Sequence, residues 1–251
     1  MNLTGNTILI TGGGSGIGRA LAEAFHAHGN QVIIAGRRQT VLEETLKANP
    51  GMKSVVLDLE NAAAISSFAA QLKIDFPKLN VVIHNAGIMR PEQIQDGALE
   101  TAEATITTNL LAPIRLNAAL LPLLVTQAQA TIMTVSSGLA FLPMAATPTY
   151  CASKAAIHSY TQSLRHQLRD TAVQVLELIP PYVQTELMGS HQAHDPNAMP
   201  LQEYISEVMG ILETSPDATE ICVERVKFLR FAEANGGYEN VYKMVNDPAG
   251  H

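Results

Sequence analysis

The 251-residue sequence has no tryptophan, only two cysteines, and few aromatic residues, which make up 5% of the chain. Two cysteines, Cys151 and Cys222, are too few for a disulfide framework, and neither has a CxxC partner or a histidine cluster beside it. We therefore interpret both as small core residues. His191 and His194 lie in a polar stretch without cysteine or carboxylate neighbours at metal-ligand spacing, so we interpret them as solvated and predict no metal site.

Positive charge is also scarce, since 16 Lys and Arg residues oppose 23 Asp and Glu residues and give a formal net charge of −7 at pH 7. This balance argues against nucleic acid or an anionic membrane as a partner. No hydrophobic run reaches the length of a membrane span, because Pro113, Arg115 and Asn117 interrupt the richest segment, 110–125. The N-terminal segment lacks the pattern of a secretion signal. We expect a cytoplasmic protein that acts on a small molecule.

What the chain does have is hydrophobic residues, which make up 47% of it and are enough for a sizeable core. Six short β-branched runs with helical patterns between them predict strands at Thr7–Thr11, Gln31–Ala35, Ser54–Leu57, Asn80–His84, Thr131–Val135 and Val173–Ile179. Alternating strands and helices predict an α/β fold, a single doubly wound parallel sheet (Rossmann fold) with helices on both faces. Ligands bind such sheets at the C-terminal ends of the strands. We expect residues 1–251 to form one domain.

Two segments interrupt this alternation. Residues 186–200 are polar and rich in Gly, His, Asn and Pro, which is long for a connection in a compact domain and predicts a mobile substrate lid. Residues 201–251 are expected to be helical. Within them Ser215 and Pro216 resemble a helix cap and first turn, and they predict a helix that runs to about Ala234.

A glycine-rich loop, residues 12–18, follows the first predicted strand and precedes a helical pattern from Arg19 to His28. Glycines in such a loop let the backbone approach a diphosphate closely. The free N–H groups and the positive end of the helix attract the same group. The strand before the loop and the helix after it therefore predict a nucleotide-binding role.

Tyr150 and Lys154 are four residues apart, so on a helix they share one face. A free phenol loses its proton only near pH ~10, and a fixed cation beside it can stabilise the phenolate so that tyrosine serves as an acid–base group. Ser137 ends a predicted strand thirteen positions upstream. Taken alone, such a pair is more often a chance spacing with a solvated lysine, and the other motifs of the chain reverse that interpretation.

Together these motifs resemble the short-chain dehydrogenase/reductase family from about Asn6 to Thr185, including its DltE-like subgroup. The resemblance rests on the loop Thr11–Gly18, on the motif Asn85–Gly87 and on the order of the catalytic motifs. It implies an α/β oxidoreductase that uses a nicotinamide dinucleotide. The implied catalytic residues are Asn109, Ser137, Tyr150 and Lys154. The implied cofactor-binding residues are Gly12, Gly14, Ser15, Gly16, Ile17, Gly18, Arg37, Arg38, Asp58, Leu59, Asn85, Ala86, Gly87, Tyr150, Lys154, Pro180, Val183 and Thr185.

The residues after the second predicted strand favour NADP(H) over NAD(H). An Asp at position 36 would accept hydrogen bonds from a ribose and repel a 2′-phosphate, whereas Gly36 leaves room and Arg37 and Arg38 offer positive charge. The alternative is that the two arginines are a solvated helix start. For Asp58, whose counterpart in the family contacts adenine, the alternative is an ordinary cap at a strand end.

Two positions depart from the family pattern, which puts their surroundings in doubt. His84 stands where the family has the first Asn of Asn-Asn-Ala-Gly, and its imidazole either substitutes as a hydrogen-bonding group or loses the contact. Pro181 replaces a glycine, which fixes φ near −65° and reshapes the pocket wall. Leu139, Phe141, Leu142, Met144 and Met188 suggest an apolar substrate pocket, although they are equally compatible with ordinary core.

The sequence therefore predicts an NADP(H)-dependent oxidoreductase that transfers hydride between nicotinamide and the carbonyl or secondary alcohol of a small apolar substrate. The alternative is a binding or regulatory protein that senses NADP(H) on the same fold, which the intact Tyr150 and Lys154 disfavour. No further strand is evident near the C-terminus. Because tetramers in the family often use that strand, we expect a homodimer through the helices of 109–125 and 150–170.

Overall fold

The computed structural model describes residues 1–247 and contains a seven-stranded parallel sheet, in which the strand order is β3-β2-β1-β4-β5-β6-β7. The strands are β1 Thr7–Thr11, β2 Gln31–Gly36, β3 Lys53–Val56, β4 Leu79–His84, β5 Ala130–Val135, β6 Val173–Ile179 and β7 Glu220–Cys222. The first six agree with the predicted strands to within one residue at each end. The strand order reverses direction between β1 and β4. The connections that follow these two strands therefore leave in opposite directions, and a crevice forms between them at the C-terminal ends of the strands.

Helices cover both faces of the sheet. They are α1 Gly16–Ala27, α2 Gln39–Ala48, α3 Ala62–Asp75, α4 Glu100–Ile106, α5 Ala112–Leu124, α6 Pro148–Gln167, α7 Leu201–Thr214, α8 Lys227–Arg230 and α9 Tyr238–Asn246. Alternate residues of β1 enter two separate cores: Ile8 and Ile10 pack with α1 and α7, whereas Leu9 packs with α3 and α5. Burial on both sides explains why the strands read as continuous apolar runs. The predicted α/β fold is confirmed.

The prediction for the C-terminal part is wrong in one region. The expected helix from Ser215 to Ala234 is replaced by a turn, by β7 and by two short helical segments, with Ile221 paired to Leu178 of β6. Three residues are too few to show strand alternation, and the apolar spacing around Ile221 is also compatible with a helix. The seventh strand is therefore present, and the reason for preferring a dimer over a tetramer disappears. Cys222 lies in this strand, not in a helix.

The segment 186–200 contains a short 3₁₀ helix, Ser190–His194, and is tied to the segment before it. Its Gln192 is buried and donates to the Val183 carbonyl at 2.8 Å and to the Thr185 hydroxyl at 3.1 Å. Within residues 1–247, none of the helices has the length and hydrophobicity needed to cross a membrane.

Candidate active site

A cleft of about 490 Å³ opens at the C-terminal ends of the neighbouring strands β1 and β4, where the strand order reverses. It is lined by the glycine loop, by the ends of β2, β4, β5 and β6, and by the start of α6. Every predicted catalytic and cofactor-binding residue lines this cleft except Gly18 and Asn109. Those two lie just behind its wall, where they hold other groups in place.

The glycine loop is fixed against the motif that follows β4. The Thr11 hydroxyl accepts hydrogen bonds from the backbone N–H groups of Asn85 and Ala86, both at 3.1 Å. In return the Asn85 side chain donates to the Thr11 carbonyl at 3.0 Å. A Cβ on Gly18 would overlap the Gly12 carbonyl and the Asn85 amide. This close packing explains why Gly18 is glycine although it does not line the cleft.

The N-terminus of α1 faces the cleft with its backbone donors free of side-chain caps. Ser15 occupies the N-cap position in an extended conformation, but its side chain makes no capping hydrogen bond, and the first turn contains no acidic residue. Gly16 has a φ of 52°, a left-handed conformation that favours glycine. Free N–H groups at the positive end of a helix form an anion-binding site.

Positive charge lies at the far end of the cleft, beyond β2. Arg38 donates to the Ser15 hydroxyl at 3.2 Å, and Arg37 forms an exposed ion pair with Glu60 at 3.0 Å. Asp58 is exposed, and its carboxylate accepts from the Glu60 backbone N–H at 3.0 Å, which caps the turn as the simpler interpretation expected. Asp58 nevertheless lines the cleft. Glu60 was not anticipated, because nothing near it in sequence marks it as a partner of Arg37.

Tyr150 and Ser137 meet at the opposite end of the cleft. Tyr150 enters from the first turn of α6, and Ser137 follows β5, where its hydroxyl accepts from the Leu139 N–H at 3.1 Å. Burial raises the pKa of Tyr150 to about 12, and interaction with the Ser137 hydroxyl offsets part of that rise. The phenol is therefore protonated at neutral pH, which suits a proton donor.

Lys154 lies one turn further along α6 and is buried. Its ammonium donates to the Val135 carbonyl at 2.7 Å and lies 5.6 Å from the centre of the Tyr150 ring. Burial lowers the pKa of Lys154 to about 8, while the charge of Glu177 acts in the opposite direction. Burial is the largest influence on the phenol's pKa, and the expected lowering of that pKa by Lys154 stays a prediction.

Asn109 lies in a π-helical segment, Thr107–Leu111, that joins α4 to α5. Its side chain accepts from the Ile88 N–H at 2.9 Å and donates to the Ile88 carbonyl at 3.0 Å and to Ser153 at 3.1 Å. The side chain thereby fixes the chain that follows Gly87 in the cleft wall. Pro113, four residues on, has no N–H to donate to the Asn109 carbonyl.

The two departures from the family pattern are accommodated differently. His84 is buried, and its Nε2 donates to the Asn117 side-chain oxygen at 2.7 Å, so the imidazole does substitute as a hydrogen-bonding group. Burial lowers the pKa of His84 to about 4, which keeps the ring neutral. Pro181 lines the cleft beside Pro180, and the wall continues through Val183 and Thr185.

Met89 and Tyr150 line the cleft, and an apolar cluster rich in methionine adjoins them. Met89, which sequence reasoning missed, packs with Tyr150 and Cys151, and so do Leu139, Met144 and Met188. The other two expected pocket residues lie elsewhere: Phe141 packs against the ring of His158, and Leu142 packs against the C-terminal helices. Neighbouring positions in a turn point in different directions, which composition does not reveal.

Two hydroxyls in the cleft wall, those of Thr108 and Ser136, are buried and have no hydrogen-bond partner among residues 1–247. A buried hydroxyl without a partner costs roughly 1–3 kcal/mol, so both are available to a bound molecule. They directly precede Asn109 and Ser137. Their adjacency to those residues is the signal by which sequence reasoning could have found them.

Comparison with known proteins supports the same assignment. The family model described as short chain dehydrogenase matches residues 6–196. The uncharacterized oxidoreductase DltE of Bacillus subtilis (strain 168) is 37% identical over 253 residues, which cover 98% of each chain.

Solved structures of similar fold include a short chain dehydrogenase from Burkholderia cenocepacia J2315 in complex with NADP. It has a TM-score of 0.81 and 22% identity, and the match covers 98% of this chain and 99% of that one. A short chain dehydrogenase/reductase from Burkholderia phymatum in complex with NAD has a TM-score of 0.82 and 19% identity, covering 95% and 96% of the two chains. The fold, the matched motifs and the relatives agree: this chain belongs to the short-chain dehydrogenase/reductase family of oxidoreductases.

Proposed function

We propose that the protein is an NADP(H)-dependent oxidoreductase that interconverts a carbonyl and a secondary alcohol on a small apolar substrate. The observation that carries the proposal is the convergence of Ser137, Tyr150 and Lys154 at one end of a cleft whose other end holds a glycine loop and two arginines. This places acid–base groups and an anion-binding loop on a single continuous surface.

The residues present fit a nicotinamide dinucleotide. The cleft offers the uncapped N-terminus of α1 for a diphosphate. The glycine loop is fixed beside it, because Gly12 packs so closely on Ala86 that an added Cβ would come within 2.9 Å. Thr108 and Ser136 offer buried hydroxyls without partners. Thr185 and the backbone of Val183 would hold the carboxamide end, and Asp58 and Leu59 the adenine end. When bound, the cofactor supplies or accepts the hydride.

The chain's own residues would handle the proton and the substrate oxygen. The Ser137 hydroxyl, whose oxygen already accepts from Leu139, keeps its proton free to polarise the substrate carbonyl. Tyr150, protonated at neutral pH because burial raises its pKa to about 12, donates the proton that neutralises the new alkoxide. Lys154 then stabilises the resulting phenolate, which is when its charge matters most. The Asn109 carbonyl, without a donor from Pro113, would hold a water for proton relay.

The preference for NADP(H) rests on Arg37 and Arg38, both of which line the cleft beside Gly36. A guanidinium binds a phosphate with charge-assisted hydrogen bonds. Arg37 is half exposed and bound to Glu60, so a 2′-phosphate would compete with that carboxylate for it. Solved structures of this fold contain NADP or NAD, and the arginines, not the fold, favour NADP here.

An apolar substrate is supported by the methionine-rich wall beside Tyr150. Methionine side chains are flexible and adapt to different apolar shapes.

We further propose that residues 186–200 act as a lid over this wall, since Met188 contributes to it and Gln192 ties the segment to Thr185. We also propose a cytoplasmic homodimer through α5 and α6. Since β7 is present, a tetramer is the competing assembly, and light scattering on the purified protein distinguishes the two.

The test is NADPH oxidation across a panel of ketones, diketones, aldehydes and keto-acyl esters, with NADH in parallel and with Tyr150→Phe as the inactive reference. Turnover that requires Tyr150 supports the proposal and defines the substrate class. Tight NADPH binding by calorimetry without turnover of any compound would instead favour a cofactor-sensing protein on the same fold.

A further inference from the structure

Behind the cleft, a buried carboxylate lies between β6 and α6. The side chain of Glu177 has no exposed surface, and both of its oxygens contact Nδ1 of His158, at 2.8 and 3.0 Å. A buried charge is costly unless it is paired and hydrogen-bonded, so an ionised Glu177 in this position calls for an explanation.

The pair lies directly beside Lys154. His158 is one helical turn beyond Lys154 on α6, so the two side chains share a face. Glu177 is paired with Thr134 of β5, and the next residue of β5, Val135, accepts the hydrogen bond from Lys154. Glu177 and the Lys154 ammonium therefore lie against neighbouring residues of β5, beneath the same helix.

The ring of His158 is held from both sides. The Glu177 carboxylate accepts at Nδ1, so that nitrogen carries a proton. The side-chain amide of Gln162 lies 3.1 Å from Nε2. The imidazole is thereby fixed in orientation, and it positions the Glu177 carboxylate beneath α6.

Other charged groups surround Glu177 but are bound elsewhere. Glu220 of β7 forms a bidentate pair with Arg230 of α8, at 2.8 and 3.0 Å. Arg165 of α6 donates to two backbone carbonyls. The Cys222 thiol of β7 is the remaining titratable neighbour, and its pKa is raised to about 11, chiefly by burial. Lys154 is thus the cation on which the charge of Glu177 acts within the cleft.

We propose that Glu177, held by His158, is a positioning residue whose buried negative charge keeps the Lys154 ammonium protonated. This inference rests on the proposed function, in which Lys154 must be charged to stabilise the Tyr150 phenolate. The two influences on Lys154 agree with this role: burial lowers its pKa to about 8, and the charge of Glu177 raises it. Without Glu177, burial would act alone and the ammonium would lose its proton at lower pH.

One possible metal-binding cluster lies here. Its ligand atoms are within 4.8 Å of one another and belong to His158, Glu177 and Glu220. We do not assign a metal to them, because Arg230 occupies both oxygens of Glu220 and its charge repels a cation. A metal is instead an outcome of the test below.

The first experiment titrates the Nζ of Lys154 by NMR in the ¹⁵N-lysine-labelled protein, with the signal assigned by Lys154→Met. The expected result is that Glu177→Gln lowers the titration midpoint by about 1 pH unit, the lower end of the effect of one nearby charge. Glu177→Asp shortens the side chain by one methylene but keeps the charge, so its midpoint should stay nearer that of the natural protein than the midpoint of Glu177→Gln. This readout needs no turnover, so it separates failure of this inference from failure of the proposed reaction.

A second variant guards against misfolding of Glu177→Gln. His158→Lys leaves β6 unchanged and places a cation against the same carboxylate, so the midpoint of Lys154 should fall there as well. In an active enzyme, the alkaline limb of the kcat/KM profile should move to lower pH in both variants. Unchanged midpoints in the folded variants would overturn the proposal. A rise in melting temperature with Zn²⁺ that is lost in Glu177→Gln would also overturn it and assign the cluster to a metal.

Discussion

The ammonium of Lys154 lies 5.6 Å from the centre of the Tyr150 ring while it donates to the Val135 carbonyl at 2.7 Å. The lysine is therefore anchored to the end of β5, one helical turn from Tyr150 on α6. Tyr150 is left with the high pKa that burial gives it, about 12, which makes it an acid at neutral pH. This arrangement suits proton donation to an alkoxide better than proton abstraction from an alcohol.

Tyr150→Phe tests this role directly. The substitution keeps the ring that packs against Met89 and removes the proton donor. We expect NADPH binding to be retained and turnover to fall by at least ~10²-fold, the usual scale of general acid catalysis. Tyr160→Phe is the matched control, because Tyr160 lies on the same helix and its hydroxyl bonds only weakly to Asn117 at 3.5 Å. Turnover retained in Tyr150→Phe would remove Tyr150 from the mechanism.

The ion pair between Arg37 and Glu60 predicts that substituting its two members has opposite effects on NADPH binding. Arg37→Ala should weaken NADPH binding by about 1–3 kcal/mol, the range of a charge-assisted contact, and should change NADH binding much less. Glu60→Gln should have the opposite effect, because it frees the Arg37 guanidinium and removes a negative charge near the phosphate. Calorimetric titration of both cofactors into both variants measures the effect. Equal weakening of NADPH and NADH by Arg37→Ala would show that Arg37 does not contact the 2′-phosphate.

These residues show which parts of the candidate site can be predicted from the sequence. Tyr150, Lys154, Ser137 and the glycine loop are recognisable because their chemistry depends on short spacings within one element or at its boundary. Glu60 is not, since its partner Arg37 is brought to it by the pairing of β2 with β3 and the turn that follows. Long-range contacts of this kind leave no local pattern.

The C-terminal part shows the same limit for the fold. Six strands are evident from short runs of four to seven residues. Five of them are hydrophobic because they are buried on both faces, and β3 at the sheet edge is partly exposed. β7 has three residues and only Ile221 of them is fully buried, so its formation depends on the edge that β6 provides. The local sequence cannot indicate that edge, and the helix expected there was wrong for this reason.

Gly18 provides a test of the cofactor loop. Because an added Cβ would overlap the Gly12 carbonyl and the Asn85 amide, Gly18→Ala should separate α1 from the motif after β4. We expect a lower melting temperature and loss of nucleotide binding. Gly210→Ala is the matched control: Gly210 lies inside α7 with no atom within 4 Å of the added Cβ, so it should stabilise the protein by about 0.5–1 kcal/mol. Unimpaired NADPH binding by Gly18→Ala would contradict the loop assignment.

His84 should make the protein sensitive to acid. Its pKa is about 4 in the folded protein, against 6.5 ordinarily, because burial disfavours the charged ring. The unfolded chain therefore binds the extra proton first, so this contribution is fully present above pH 6.5 and is lost as the pH falls from 6.5 to 4. The shift corresponds to about 3 kcal/mol in total.

Urea unfolding at pH 7 and pH 5 measures this loss. His84→Asn cannot gain a proton and keeps an amide that can donate to Asn117, so its stability should fall less between the two pH values. His191→Asn, at an exposed position, serves as the control and should behave as the natural protein does. An equal loss of stability in His84→Asn and in the natural protein would show that other groups cause the acid sensitivity.

The C-terminal helix α9 should control the loop that follows Ser137. Asn246, near the end of α9, accepts from the Ala145 N–H at 2.6 Å and donates to the Pro143 carbonyl at 3.0 Å. Met144, between those two residues, lies in the apolar wall beside Tyr150. The helix is thereby attached to one side of the substrate pocket, and its tyrosines and valines pack beneath the same loop.

Asn246→Ala removes both hydrogen bonds, each worth about 1 kcal/mol at a partly exposed position. We expect faster hydrogen exchange of the Ala145 amide and a KM several-fold higher, with kcat changed less, because Ser137 and Tyr150 are held by other contacts. Lys243→Ala, at an exposed position of the same helix, should change neither quantity. If the amide of Ala145 exchanges at the same rate in Asn246→Ala as in the natural protein, α9 does not restrain the loop. The pocket would then be shaped without the C-terminal helix.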